Sequence, residues 1–304
     1  MGSISNSTNS YSCKTAKLFA ESKKFYLTLK HMEKGEKESQ QEELEAIQSF
    51  LTNNKSLLTE LANSTESDVA IVHSAYYECA MTYCKAVGPP EAFYKEAISF
   101  LHYTPLNTIS PPSEQFSLAT DLSLSALTGD GVYNFGEVVH NNKMILDVLN
   151  GTENEYLVKL MTASADGDVD VLEKISTEYA DAIGKQPTLV NRADVVKEKI
   201  TLLALVNMIF ERPSSERTLT FEDIGKRTKM PIEKVELIIM RALSLGLIKG
   251  SMDQVDQTVD VTWVMPRVLD GEDMRQLANR FGEWAVKVSK TREFMTDHVP
   301  VTFG

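Results

Sequence analysis

The chain has 304 residues but only three cysteines, Cys13, Cys79 and Cys84, and five histidines. An odd, sparse cysteine set without ligand spacing is no disulfide framework, and it reads as free buried thiols in a reducing compartment. Cys79 and Cys84 lie five apart on a predicted helix, about 140° round from each other, so they do not clamp a metal together. His31, His73, His102, His140 and His298 are scattered, with no HExxH or HxH pairing to hold zinc. His73 reads as a packing or surface residue. There is no GxxxxGK[ST] phosphate loop and no GxSxG elbow. The stretch GDGVYNFG at 129–136 lacks GxGxxG spacing, no strand precedes it, and Asp130 would repel a phosphate. It reads as a tight interhelical turn in which Asn134 caps the next helix, with Glu137 at the third position. No carboxylate pair stands out in an apolar setting. Neither an enzyme nor a cofactor is expected.

Long apolar runs are missing as well. None approaches the ~18–20 residues that a membrane span needs. The opening MGSISNSTNSYS has no apolar core of a signal peptide, and Asn6 makes it a poor myristoylation match. Base is also in short supply: 31 Lys and Arg stand against 43 Asp and Glu, a net charge of −12. An acidic balance of this size argues against a nucleic-acid surface and for a soluble protein.

What is present is helical periodicity. Residues 1–13, rich in Ser, Asn and Thr, are expected to be disordered. Apolar residues recur at helical spacing over 16–32, 42–61, 68–87 and 91–103, with a charged break at 33–41, a turn at 63–67, and Gly88-Pro89-Pro90 separating the last two helices. Two antiparallel helices joined by a tight turn form a tetratricopeptide-like unit, which must stack on neighbours to cover its apolar face. The pattern recurs loosely, 114–127 pairing with 135–149 and 153–163 with 169–183. The helix at 195–212 is apolar nearly all round and should lie buried at a joint.

Residues 218–269 read as a winged helix. Thr220 caps a short helix together with Asp223 in a capping box, and Pro231 opens a second helix. That second helix carries Val235, Leu237, Ile238, Ile239, Ala242, Leu243 and Leu245, and Gly246 stops it. Residues 247–250 and 258–264 form the two wing strands around a polar tip at 251–257. DNA readers of this shape need outward Arg, Lys, Asn or Gln. Here the outward positions are Glu233, Lys234 and Glu236, and the wing carries Asp253, Asp256 and Asp260 against Lys249 alone. Protein contact is the better reading. A last helix, 270–295, places Met274, Leu277, Phe281, Trp284 and Val288 at 3-4-3-4 spacing, a narrow seam suited to a coiled coil or bundle. The expected fold is therefore mainly α: a helical-repeat solenoid at 14–194, a winged helix at 195–269 and a C-terminal helix at 270–298.

Several blocks carry a resemblance: VHSAYYE (72–78), AFYKEAISFL (92–101), GDGVYNFGEVV (129–139), LTFEDIGK (219–226), KVELIIMRALSLGLIKGSMDQVD (234–256) and TWVMPRVLD (262–270). With the plan of repeats running into a winged helix, they resemble the PCI-domain family, and within it the non-ATPase lid subunits of the 26S proteasome regulatory particle. The resemblance runs from about residue 16 to the end of the terminal helix. Members of that family carry more helical repeat ahead of this point, where this chain has a Ser/Asn-rich stretch, as a shortened form or a divergent gene model would. The resemblance implies a non-catalytic scaffold for lid assembly and ubiquitin-dependent degradation, in the cytoplasm and nucleus. It implies a hetero-oligomer, with no nucleic acid and no membrane. PCI neighbours would meet the sheet edge near Leu247, Ile248, Val259 and Val261. The seam Met274, Leu277, Phe281, Trp284 and Val288 would join a helix bundle that includes a deubiquitinase pair. The solenoid would reach another subunit or a ubiquitin receptor. The alternatives are a PCI subunit of the signalosome or of a translation initiation factor and, behind these, a winged-helix regulator of nucleic acid.

Overall fold

The computed structural model describes residues 4–32, 40–61, 69–141, 143–212, 217–266 and 271–298. The expected break at 33–41 and turn at 63–67 fall largely or wholly outside them. Helix α1 (Ile4–Met32) packs on α3 (Val69–Val87), and α2 (Gln40–Leu61) closes the same cluster. The Phe25 and Phe50 rings lie 4.9 Å apart, and Tyr76 Oη donates to the Leu51 carbonyl at 2.7 Å. The helix begins at Ile4, within the Ser/Asn-rich stretch expected to be disordered. Elongating an existing helix costs far less than nucleating one, so weak helix formers can extend a strong segment.

Gly88-Pro89-Pro90 breaks the chain as the sequence predicts. Gly88 N donates to the Cys84 carbonyl at 2.8 Å, and Pro90 is the first residue of α4 (Pro90–Tyr103). The next helix, α5 (Pro112–Thr128), is followed by a π turn (Glu137–Asn141) and the short α6 (Lys143–Leu149), where one helix was expected. Asn134 does not cap by its side chain: its Oδ1 is buried without a partner, and its main-chain carbonyl accepts from Glu137 N. After α7 (Glu155–Asp166), the predicted helix at 169–183 divides into α8 (Val169–Glu178) and α9 (Ala180–Gly184). Tyr179 is the break. Its ring stacks on Tyr156, its hydroxyl accepts from Lys159 Nζ at 2.6 Å, and its backbone leaves the helix. An unforeseen α10 (Pro187–Asn191) leads into α11 (Ala193–Glu211).

Helix α11 serves two cores. Leu203 packs with the repeat helices, whereas Leu202, Leu205, Val206 and Ile209 pack with the winged helix. The latter consists of β1 (Thr218–Thr220), α12 (Phe221–Thr228), α13 (Ile232–Ser244), β2 (Ile248–Asp253) and β3 (Thr258–Val264). The antiparallel sheet has the order β1-β3-β2. Half of the expected capping box forms: Thr220 Oγ1 accepts from Asp223 N at 3.2 Å, while the Asp223 carboxylate turns to Arg212. Gly246 ends the second helix at φ 69°, as a left-handed stop requires. At Gly250 the strand bulges, and a Cβ there would lie 2.0 Å from the Asp260 carbonyl oxygen.

A buried cation ties repeats and winged helix together. Lys199 on α11 donates to the carbonyls of Ala126 at 2.5 Å and Gly129 at 2.8 Å, with Leu127 at 3.5 Å. Arg192, at the start of the same helix, donates to the Thr128 carbonyl at 2.8 Å. The last carbonyls of α5 are thus satisfied by two basic side chains, and the Arg192 charge also suits the negative end of its dipole. Gly129 permits the junction, because a Cβ there would meet Ser125 O at 2.6 Å and Glu91 N at 3.1 Å.

Burial pulls the Lys199 pKa down to about 7, with Asp130 and Glu91 acting the other way. A base whose folded pKa lies below its unfolded value binds fewer protons when folded. Stability therefore rises with pH between about 7 and the ordinary lysine range. The Lys199→Met variant leaves buried carbonyls unpaired and should lose about 1–3 kcal/mol near pH 8. In denaturant melts, the gap between wild type and variant should widen from pH 7 to 10; a constant gap would refute the titration.

Candidate protein-contact surfaces

Reactive chemistry is not assembled among the described residues. Burial raises the Cys79 thiol to about 12 and Cys84 to about 11, which keeps both protonated and poor as nucleophiles. His73 is buried against Tyr103, with ring centroids 4.6 Å apart, and burial lowers its pKa. No group of three or more His, Cys, Asp or Glu among the described residues is placed to hold a metal. A groove of about 900 Å³ lies where α8, α10 and α11 meet the α12–α13 turn. Lys229 spans it, paired with Asp170 and with Glu173.

The winged helix differs from a polyanion reader on the outward face of its second helix and in the pairing of most of its bases. The outward face of α13 carries Leu237 and Met240, both substantially exposed. Sequence reasoning assigned Leu237 to the buried face. The signal against that was the excess of apolar positions in a short helix, more than one face can cover. Four of the bases are already paired: Lys226 with Glu222, Arg227 with Glu211, Arg241 with Glu198, and Lys229 as above. At the wing, Asp253 Oδ1 accepts from the main chains of Val255 and Asp256, and Gln254 ties the tip to Glu236. Lys249 lies over the Trp263 ring, 5.0 Å from its centroid.

The sheet residues expected at a partner interface need correction. Leu247, Ile248, Val259 and Val261 are at most 3% exposed and belong to the winged helix's own core. The period-two pattern of β3 identified a covered face, but α11 and α13 do the covering. β3 is moreover the central strand, so the sheet's edges are β1 and β2. Trp263, outward on β3, and Val255 at the wing tip are the apolar side chains presented to solvent.

The C-terminal helix behaves differently. Every described side chain of α14 (Gly271–His298) is exposed. Met274, Phe281 and Trp284 are each more than half exposed, with Leu277 and Val288 close behind. The structure brings these five together as one unpartnered stripe, which Met295 continues.

Repeats, a shared helix, a winged helix and an unpartnered terminal helix define a PCI-domain protein, and the PCI domain model matches residues 176–263. The model for PSD13 N-terminal repeats matches residues 3–161, more than half of the chain, and the chain belongs to that family. It is 36% identical to the 26S proteasome non-ATPase regulatory subunit 13 of Dictyostelium discoideum, over 75% of this chain and 58% of that protein. It is 32% identical to the 26S proteasome regulatory subunit RPN9 of Saccharomyces cerevisiae, over 80% of this chain and 61% of that one. The chain thus spans about three fifths of the length of these relatives. A weaker similarity, 25% over 79% of this chain and 49% of the relative, links it to eukaryotic translation initiation factor 3 subunit M of Coccidioides immitis.

Core and surface assignments in the wing separate in one measurement. Val259→Ala should cost about 2 kcal/mol in denaturant unfolding, through lost burial and an incompletely filled cavity. Trp263→Ala removes a larger side chain but should cost less than about 1 kcal/mol, mainly its contact with Lys249. The reverse order would mean that the sheet's faces are assigned wrongly.

Proposed function

We propose that the chain is a non-catalytic scaffold subunit of the 26S proteasome lid, acting in ubiquitin-dependent degradation in the cytoplasm and nucleus. The observation that carries this is the bare apolar seam of α14, on a chain whose relatives are named regulatory subunits of that particle. A seam at 3-4 spacing matches a helix bundle, where each apolar side chain enters a hole made by neighbouring helices. Neighbouring PCI subunits would meet the wing at the β2 edge and at Trp263, with Leu247, Ile248, Val259 and Val261 forming the rigid layer behind that surface. The bundle would include a deubiquitinase pair, and the repeats would reach a further subunit or a ubiquitin receptor. The carbonyl-capped joint at Lys199 would hold those two contact regions at a fixed angle.

The test is incorporation. The tagged chain, drawn from native lysate with ATP, should elute in a very large complex with ATP-dependent peptidase activity. Elution with initiation-factor subunits or as a small species would overturn the lid reading. Replacing Leu277 and Phe281 together with Asp should abolish incorporation while leaving the melting of the body unchanged, because both side chains are exposed. Normal incorporation of that variant would remove the bundle contact alone.

A further inference from the structure

The charges beside the α14 seam say what kind of helix covers it. At 100° per residue, Arg280, Lys287 and Arg292 fall within about 100° of the seam's centre, where side chains reach across to a neighbouring helix. Glu283 and Glu293 lie more than about 130° from it, on the back. Between Met274 and Met295 the described side chains bordering the seam are therefore basic, alanine, serine, threonine or apolar, and none is acidic. This local reversal stands on a chain of net charge −12.

We infer that the α14 seam selects a partner helix whose own apolar seam is flanked by Glu or Asp, and that it rejects a second copy of itself. This rests on the bundle reading above and specifies its partner. In a parallel pair of copies, Lys287 of one faces Arg292 of the other, and in an antiparallel pair bases again face bases. Like charges at those positions oppose pairing, whereas carboxylates placed there bridge all three bases. The nearby alanines, Ala278 and Ala285, leave room for close approach. Basic flanks also suit a chain that does not pair through α14 with its own copies.

The experiment uses the full chain and two synthetic four-heptad peptides with Leu at the seam positions. One carries Glu at the flanking positions and the other Lys. Binding is read by fluorescence anisotropy, and binding retained by the variant with Leu277→Asp and Phe281→Asp is subtracted as independent of the seam. At low salt the Glu peptide should bind about tenfold more tightly than the Lys peptide, the scale of three ion pairs. The margin should shrink at about 1 M salt, where screening acts over about 3 Å. The variant combining Arg280→Glu, Lys287→Glu and Arg292→Glu should reverse the order. Equal seam-dependent binding, tighter binding of the Lys peptide, or no seam-dependent binding of either would overturn the inference. None of these bears on whether the unaltered chain enters the proteasome, so the two readings fail separately.

Discussion

The end of α5 is buried, and its last carbonyls have no helical partner there. The chain resolves this with Lys199 and Arg192, both carried by the segment that begins α11. An unpaired buried carbonyl costs about as much as a lost hydrogen bond, so this contact constrains more than its own neighbourhood. It fixes where α11 begins and how it is rotated. Rotation decides that Leu203 faces the repeats while Leu202, Leu205 and Ile209 face the winged helix. Further links lie along the same joint. Asn207 Nδ2 donates to the Ala165 carbonyl at 2.9 Å, beside Gly167, where a Cβ would come within 2.7 Å of that nitrogen. Lys229 reaches back to α8, and Arg241 pairs with Glu198 on α11.

These pairs also decide what the surface can bind. Exposed ion pairs stabilise little, about 0–1 kcal/mol each, yet each removes a cation from the pool available to a polyanion. The winged helix holds Arg227, Lys229 and Arg241 in this way, and its recognition-helix face offers Leu237 and Met240 in place of polar readers. On the reading proposed above, a fold widely used on DNA is turned toward protein. Along α14 the account is reversed, since its bases are spaced beside an apolar stripe with no acid of the described body paired to them among the recorded ion pairs.

Local signals were legible in the sequence. Thr220 at the cap, Gly246 at the stop and the Gly-Pro-Pro break each act within a few residues, and each stands where the pattern placed it. Features set by distant partners were not. Sheet order is nonlocal, so nothing in Thr258–Val264 announces a central strand, and the apolar face of Val259 and Val261 reads equally well as a docking face or as the covered face it is. Tyr179 breaks a helix because Lys159 and Tyr156 hold it, neither of which its own neighbours reveal. Lys199 leaves a weaker trace: it and Lys197 are the two lysines of a helix that is apolar nearly all round, and only Lys199 is buried. A buried cation requires acceptors, and the nearest large supply is the end of another helix.

The seam of α14 was legible for a different reason. The helices that cover the chain's own cores are broad-faced, as curvature around a globular interior demands. A stripe held to 3-4 spacing over two heptads is narrower than that and drifts little around a helix that supercoils with a partner. Its width points to another helix, whereas its exposure follows from the body having no such partner free. Five large apolar side chains in one exposed row are a liability in solution for a chain that could bury them at no cost elsewhere. The winged helix already has a closed core, so the row has no internal use, and the charges beside it become the part of the sequence that chooses between partners.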